Sequence, residues 1–264
     1  MLAIEALTVG FRRYRGLLAQ VDVRALGPLE IGLARGEVLA LVGASGAGKS
    51  LLAHALFGVL PPNALVSGRM LFDGIALEAQ TLPALRGRKM GLVPQSISHL
   101  DPLVRCGRQL GWAARRAGRP VDRSGLEAAL GWFDLDASVL DAFPHALSGG
   151  MARRLMLAMA IIGGPDLVVA DEPISGLDAD NAALVLGYFR RLADEGRAVL
   201  LITHDLVQAI PVSDRVAILR DGHLEGIAPA AAFSGDGSAL ASPYARALWR
   251  AMPENGFGLE PVDA

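Results

Sequence analysis

Cysteine is nearly missing from this chain: Cys106 stands alone. A single thiol excludes an intrachain disulfide and any metal site built from several thiolates, and it fits a reducing compartment. Lysine is almost as scarce, since only Lys49 and Lys89 among 25 basic residues are lysines. Arginine does not make up a dense basic run. It comes in pairs such as Arg115–Arg116 and Arg153–Arg154, and the formal net charge is −2. Nonspecific nucleic-acid binding draws on a concentrated basic patch, so no nucleic-acid partner is expected. Glu5 comes early and no long apolar run precedes or follows it, which argues against a signal peptide. Ser50 to Gly68 carries no Asp, Glu, Lys or Arg over the length of a membrane span. It also holds His54, Asn63 and the Pro61–Pro62 pair, which would break a buried helix. The expectation is a core helix ending at the prolines, in a chain that does not itself cross a membrane.

About half of the 264 residues are apolar, enough for one large core. Leu2 to Phe11 and Leu29 to Leu33 show some alternation and read as strands. Val38 to Val42 is short and wholly apolar, the pattern of a strand buried on both faces. A helix is expected from Lys49 to about Leu60. Gly68 to Leu77 reads as a hairpin turning at Asp73-Gly74, and Met90 to Val93 as a further strand. From about residue 96 to 160 the pattern becomes Ala- and Leu-rich, predicting several helices and no strand. Strand signals return at Asp166 to Ala170, Ala198 to Thr203 and Arg215 to Leu219, with a helix from Ala179 to Glu195. Alternating strands and helices predict a parallel α/β sheet. The expected organisation is a nucleotide-binding core with a β subdomain over 1–95 and 162–227, a helical insertion over 96–161, and an extension over 228–264. Within that extension Ala228 to Ala241 reads as a loose connection and Pro243 to Ala251 as a short helix. No internal repeat is visible.

Gly43-Ala44-Ser45-Gly46-Ala47-Gly48-Lys49-Ser50 matches the pattern G-x-x-x-x-G-K-[ST], followed by Leu51. Glycines let successive backbone N–H groups curl around an anion without Cβ clashes. A helix starting near Lys49 adds the positive end of its dipole. Lys49 would reach the β- and γ-phosphates, and the Ser50 hydroxyl would ligate Mg²⁺. A chance glycine-rich turn is the bland alternative, but this one sits between a buried strand and a helix, as the chemistry requires. ATP and Mg²⁺ are therefore the expected cofactors.

Leu167 to Ala170 is an apolar strand that runs into Asp171-Glu172. At the carboxyl edge of a parallel sheet such acids meet ligands. Asp171 would hold the metal through water, and Glu172 would orient or deprotonate the attacking water. An ordinary strand-to-loop turn is the alternative, and the phosphate loop upstream favours chemistry.

Leu147-Ser148-Gly149-Gly150-Met151 resembles the LSGGQ signature of ABC ATPases, with Met in the last place. It lies about twenty residues before Asp171-Glu172. Val93-Pro-Gln95 resembles the Q-loop, Ser175-Gly-Leu-Asp178 the D-loop, and His204 the switch histidine. The resemblance spans nearly the whole chain. It implies a P-loop NTPase fold, RecA-like, with a parallel sheet core, an antiparallel β subdomain and an inserted helical subdomain. It also implies that Gln95 joins Ser50 and Asp171 at the metal, that His204 senses the γ-phosphate, and that Lys49, Glu172 and His204 carry hydrolysis. Ser148, Gly149, Gly150 and Met151 would face ATP held by another subunit, with Asp178 at that junction. Phe11 would stack on adenine, or pack in the core, with Tyr14 as a rival. His204 read alone fits a capping or core histidine, and Gln95 an ordinary loop amide.

Met151 resembles the dipeptide, oligopeptide and nickel importer branch. So do Leu157-Ala-Met-Ala-Ile-Ile, Ala170-Asp-Glu-Pro173 and the tail Ser242-Pro-Tyr-Ala-Arg-Ala-Leu-Trp249. Gln95 to Pro102 departs from the branch's usual pattern and leans towards nickel or metal-chelate importers. The resemblance implies a peripheral protein on the cytoplasmic face of the inner membrane. Its partners would be two permease subunits, a second ATPase subunit in a homodimer or heterodimer, and indirectly a solute-binding protein. A soluble ABC-type ATPase of DNA repair or translation is the alternative. It would usually carry coiled coils, zinc modules or tandem ATPase domains, which the sequence does not show.

Overall fold

A computed structural model describes residues 1–15, 19–252 and 255. In chain order its strands are β1 (Leu2–Arg15), β2 (Ala19–Leu33), β3 (Val38–Gly43), β4 (Ala64–Phe72), β5 (Ile75–Ala76), β6 (Met90–Val93), β7 (Leu167–Asp171), β8 (Ala198–Thr203), β9 (Arg215–Arg220) and β10 (His223–Pro229). Its helices are α1 (Lys49–Leu56), α2 (Leu82–Leu85), α3 (Cys106–Arg116), α4 (Arg123–Gly131), α5 (Gly149–Ile161), α6 (Ala179–Asp194), α7 (Leu206–Ala209) and α8 (Pro243–Arg250).

Two sheets result. One is antiparallel, in the order β2-β1-β4-β5. The other has the order β10-β9-β3-β8-β7-β6, and all its pairings but β10–β9 are parallel. Every residue of β3, β7 and β8 is buried, as continuous apolar runs predict for strands covered on both faces. Alternate residues of β3 enter two separate cores. Val38, Ala40 and Val42 join the one that holds α3, α5 and α6. Leu39 and Leu41 join the one that holds α1 and the antiparallel sheet. The six-stranded sheet is thus the middle layer, and every parallel strand delivers its carboxyl end to one edge.

The expected strands, the helical stretch after residue 96 and the short tail helix are all present. Three expectations need correction. The first helix stops at Leu56 rather than Leu60, because Gly58 adopts φ 54° and closes it. Val59 N–H donates to His54 O at 2.9 Å and Gly58 N–H to Ala55 O at 2.9 Å, a Schellman cap that acts before the prolines are reached. The connection after residue 228 begins inside β10, which pairs with β9 through a turn at Asp221-Gly222. A register shift between Leu224 and Gly226 breaks the alternation that would have marked this strand. Finally, β1 runs four residues past Phe11, with bulges between Ile4 and Gly10 that disrupt its period.

Candidate functional site

The phosphate loop leaves β3 at Gly43 and enters α1 at Lys49. A Cβ at Gly43 would stand 2.2 Å from Leu219 O, so the loop can lie this close to β9 only as glycine. Gly48 caps α1 with φ 98°, and a Cβ there would meet Leu26 Cδ1 at 2.9 Å. Gly222 N–H donates to Ala47 O at 3.1 Å and braces the loop from behind. Leu51 and Leu52 N–H donate to Gly48 O, while the Lys49 and Ser50 N–H groups at the start of α1 have no acceptor within the helix, as a helix N-terminus leaves them for an anion.

Three ionisable groups meet beside this cradle. Lys49, buried, donates from Nζ to Gly43 O at 2.8 Å and Ala44 O at 3.1 Å. The same Nζ lies 3.6 Å from Glu172 Oε1. The other oxygen of Glu172, Oε2, lies 2.8 Å from His204 Nδ1. One carboxylate therefore bridges the loop lysine and the histidine, one oxygen to each. Glu172 is buried and adopts φ 48°, and its N–H donates to Ile202 O at 2.8 Å. A non-glycine residue held in the left-handed region costs free energy and aims its side chain unusually. His204 sits at the end of β8 with its side chain 60% exposed, so it is neither a core histidine nor a cap. The cap of α7 is Asp205.

Next to Lys49, Ser50 Oγ donates to Asp171 Oδ1 at 3.1 Å. Burial pushes the Asp171 carboxyl up from its ordinary value, while the Ser50 hydroxyl pulls it down and the Glu172 charge adds to the rise. A hydroxyl and a carboxylate with the Gln95 amide nearby form a hard oxygen set of the kind Mg²⁺ takes. Ser50, Gln95 and Asp171 line one recess of about 190 Å³, together with His54, Ser96 and His99. The recess adjoins a cleft of about 700 Å³, bordered by Ala44, Ser45, Gly46, Gly48, Leu51, Gln95, Glu172 and His204.

Several expected residues lie away from that cleft. Ser148 caps α5, its Oγ accepting from Met151 N–H at 3.2 Å, and it is exposed, as is Gly149. Gly150 is buried against Asn181, where a Cβ would stand 2.6 Å from Oδ1. Asp178 caps α6 and holds Asn181 through its N–H at 2.9 Å and its Nδ2 at 2.7 Å. Phe11 is half-buried against the core under the antiparallel sheet and does not border the cleft. The Tyr14 side chain lies outside the described residues. His54 borders both cleft and recess and was not anticipated. Its spacing of one helical turn from Ser50 places it on the same face of α1, a signal the sequence did carry.

Residues 26–175 match the family described as ABC transporter. This chain belongs to that family. The ABC ATPase is 32% identical over 278 residues to the dipeptide transport ATP-binding protein DppD of Bacillus subtilis, covering 100% of this chain and 81% of that one. It is 32% identical over 271 residues to the oligopeptide transport ATP-binding protein OppD of Lactococcus lactis subsp. cremoris, covering 96% of this chain and 76% of that one. Among solved structures, the dimeric post-hydrolysis state of the ATP-binding cassette MJ0796 bound to ADP and Pi superposes with TM-score 0.76 at 24% identity. That match covers 87% of this chain and 99% of the other. The likeness bears out the P-loop cassette fold of this ABC ATPase. No helix among its described residues is long and apolar enough to cross a membrane.

Proposed function

We propose that this chain is the ATP-hydrolysing subunit of a bacterial peptide importer. The observation that carries the chemistry is the line Lys49–Glu172–His204 along one cleft, beside the Ser50–Asp171 pair at the recess that adjoins it. The backbone of the loop holds the β- and γ-phosphates, and Lys49 swings from Gly43 O and Ala44 O onto them. Ser50 and Gln95 would ligate Mg²⁺, with Asp171 holding it through water. The metal, when bound, neutralises charge on the phosphate oxygens. Glu172 orients the attacking water and takes its proton, and His204 fixes the Glu172 carboxylate.

The exposed Ser148-Gly149 start of α5 is an anion site turned outward, which fits ATP held by a second ATPase subunit. In this reading two such subunits close over two ATP molecules, with Asp178 at the junction, and the closed pair is the state that hydrolyses. An apolar groove of about 210 Å³ borders the Gln95 loop, lined in part by Leu92, Leu100, Met156 and Met159. Leu103, 85% exposed, Ile97 and Trp112 stand out near it. Such a patch beside the nucleotide suits a permease segment, so closure on ATP would move one of two permeases. In this reading the chain sits on the cytoplasmic face of the membrane, with a solute-binding protein acting beyond the permeases. The relatives named above are dipeptide and oligopeptide transport proteins, which favours peptide over nickel or a metal chelate as cargo.

The test is fractionation followed by uptake. The chain is expected in salt-washed membranes together with two permeases, and Lys49→Ala is expected to abolish uptake of a labelled tripeptide. Sedimentation only with ribosomes or DNA would sink the importer reading in favour of an ATPase of repair or translation.

A further inference from the structure

Arg153 lies on α5 just beyond the Ser148 cap and is only 4% exposed. Its neighbours on the helix, Ala152, Met156 and Leu157, are buried as well. All of its hydrogen bonds go to main-chain carbonyls. Nη1 donates to Pro94 O at 3.0 Å and to Gln95 O at 2.8 Å, and Nη2 donates to Ser175 O at 3.4 Å. The Nε–H is buried without an acceptor. Burial pushes the guanidinium pKa down.

A cation placed this way is costly, and a methionine would fill much of the same volume without that cost. Filling space therefore does not account for the residue. Arginine differs from every other side chain here in its rigid, planar fork of donors. One arm of the fork holds the loop that brings Gln95 to the cleft. The other arm holds the loop between Glu172 and Asp178, where Ser175 N–H donates to Glu172 O at 3.2 Å. The stem of the side chain belongs to the signature helix itself.

We propose that Arg153 is a positioning residue for ATP hydrolysis: from inside the signature helix, its fork fixes the spacing between the Gln95 loop and the Glu172–Asp178 loop. Docking of the signature helix on a neighbouring subunit and assembly of the catalytic line then become one event. The inference rests on the ATP-hydrolysis reading of the site.

The test uses the full-length chain with Arg153→Met, which loses charge and fork, and Arg153→Lys, which keeps the charge and loses the fork. Both variants are expected to bind ATP within about threefold of the unaltered chain while kcat falls about tenfold or more at little-changed KM. Amide exchange is expected to rise in residues 95–97 and 174–178 in both, and to stay unchanged in β3 and α1. The exchange result stands even in a preparation without turnover, so it separates failure of this proposal from failure of the ATPase reading. Unaltered exchange in both loops would overturn it. So would full kcat in Arg153→Met, or Arg153→Lys matching the unaltered chain in kcat and exchange. Should Arg153→Met fail to fold, the lysine variant decides alone.

Discussion

The cradle around Lys49 and the segment around Ser148 are both glycine-rich starts of helices, yet they are finished in opposite ways. At the cradle, side chains from three strand ends converge: Lys49 after β3, Asp171 and Glu172 at the end of β7, and His204 after β8. The Lys49, Ser50, Asp171, Glu172 and His204 side chains each have a partner within the chain. At the signature, Ser148 satisfies only its own helix, and Gly149 faces open space where a Cβ would meet nothing within 4 Å. The first is a machine part complete in itself. The second is an exposed surface with its side of the helix open. In a parallel sheet, strand ends gather at one edge by construction. No such geometry brings the signature to that edge, which is why the proposed function assigns its counterpart to a second ATPase subunit.

The largest expected effect breaks the comparison at the cradle. Glu172→Gln is expected to keep ATP affinity and lose about a thousandfold in turnover, as removal of a general base implies. Phosphate release and ATP binding measured side by side check this, and undiminished turnover would remove Glu172 from its role. An intermediate effect pits the two regions against each other. Lys49→Ala and Ser148→Arg should each silence the protein alone. In an equal mixture, about a quarter of normal turnover should return, because half of the random pairs hold one intact composite site of two. No recovery would mean that the signature's counterpart is not another copy of this chain.

The smallest effect concerns how the helical block is fastened. The Tyr188 hydroxyl on α6 donates to Asp134 Oδ2 at 2.7 Å, and Trp132 and Phe133 pack on its ring. Burial, and then the Asp134 carboxylate, push the phenol from 10.0 up to about 12. The folded chain thus holds this proton more tightly than the unfolded one. The contribution is whole below pH 10 and lost as pH rises through about 12. Melting temperature is expected to fall more steeply across that window in the unaltered chain than in Tyr188→Phe, and equal slopes would count against the tether.

Much of the cradle could be read before any fold was known, because its requirements are local. A loop that wraps phosphate needs glycines in sequence, and acids at a strand end announce themselves after an apolar run. The same holds for β3, β7 and β8, whose burial on both faces removes any ambiguity of alternation. What escaped had causes of two kinds, local interruptions of a pattern and contacts distant in sequence. The strand β10 was hidden by its own bulge at Gly226. Gly58 closed α1 early although the prolines were the louder signal. The acceptors of Arg153 lie in two loops that only the fold brings beside α5. A hint was available there, since Arg153 shares a helical face with Met156 and Leu157, an apolar stripe in which a cation stands out. Phe11 shows the reverse case: an aromatic in the expected region, half-buried against the core and away from the cleft.

The left-handed backbone at Glu172 has a consequence for anyone engineering heat resistance into this chain. Asparagine and glycine tolerate that backbone region better than glutamate does. Relief of that backbone strain is set against the loss of the Lys49 and His204 partners, at the carboxylate to which the proposed function gives the attacking water. Under that reading, any stabilising replacement at this position has to be scored for turnover as well as for melting.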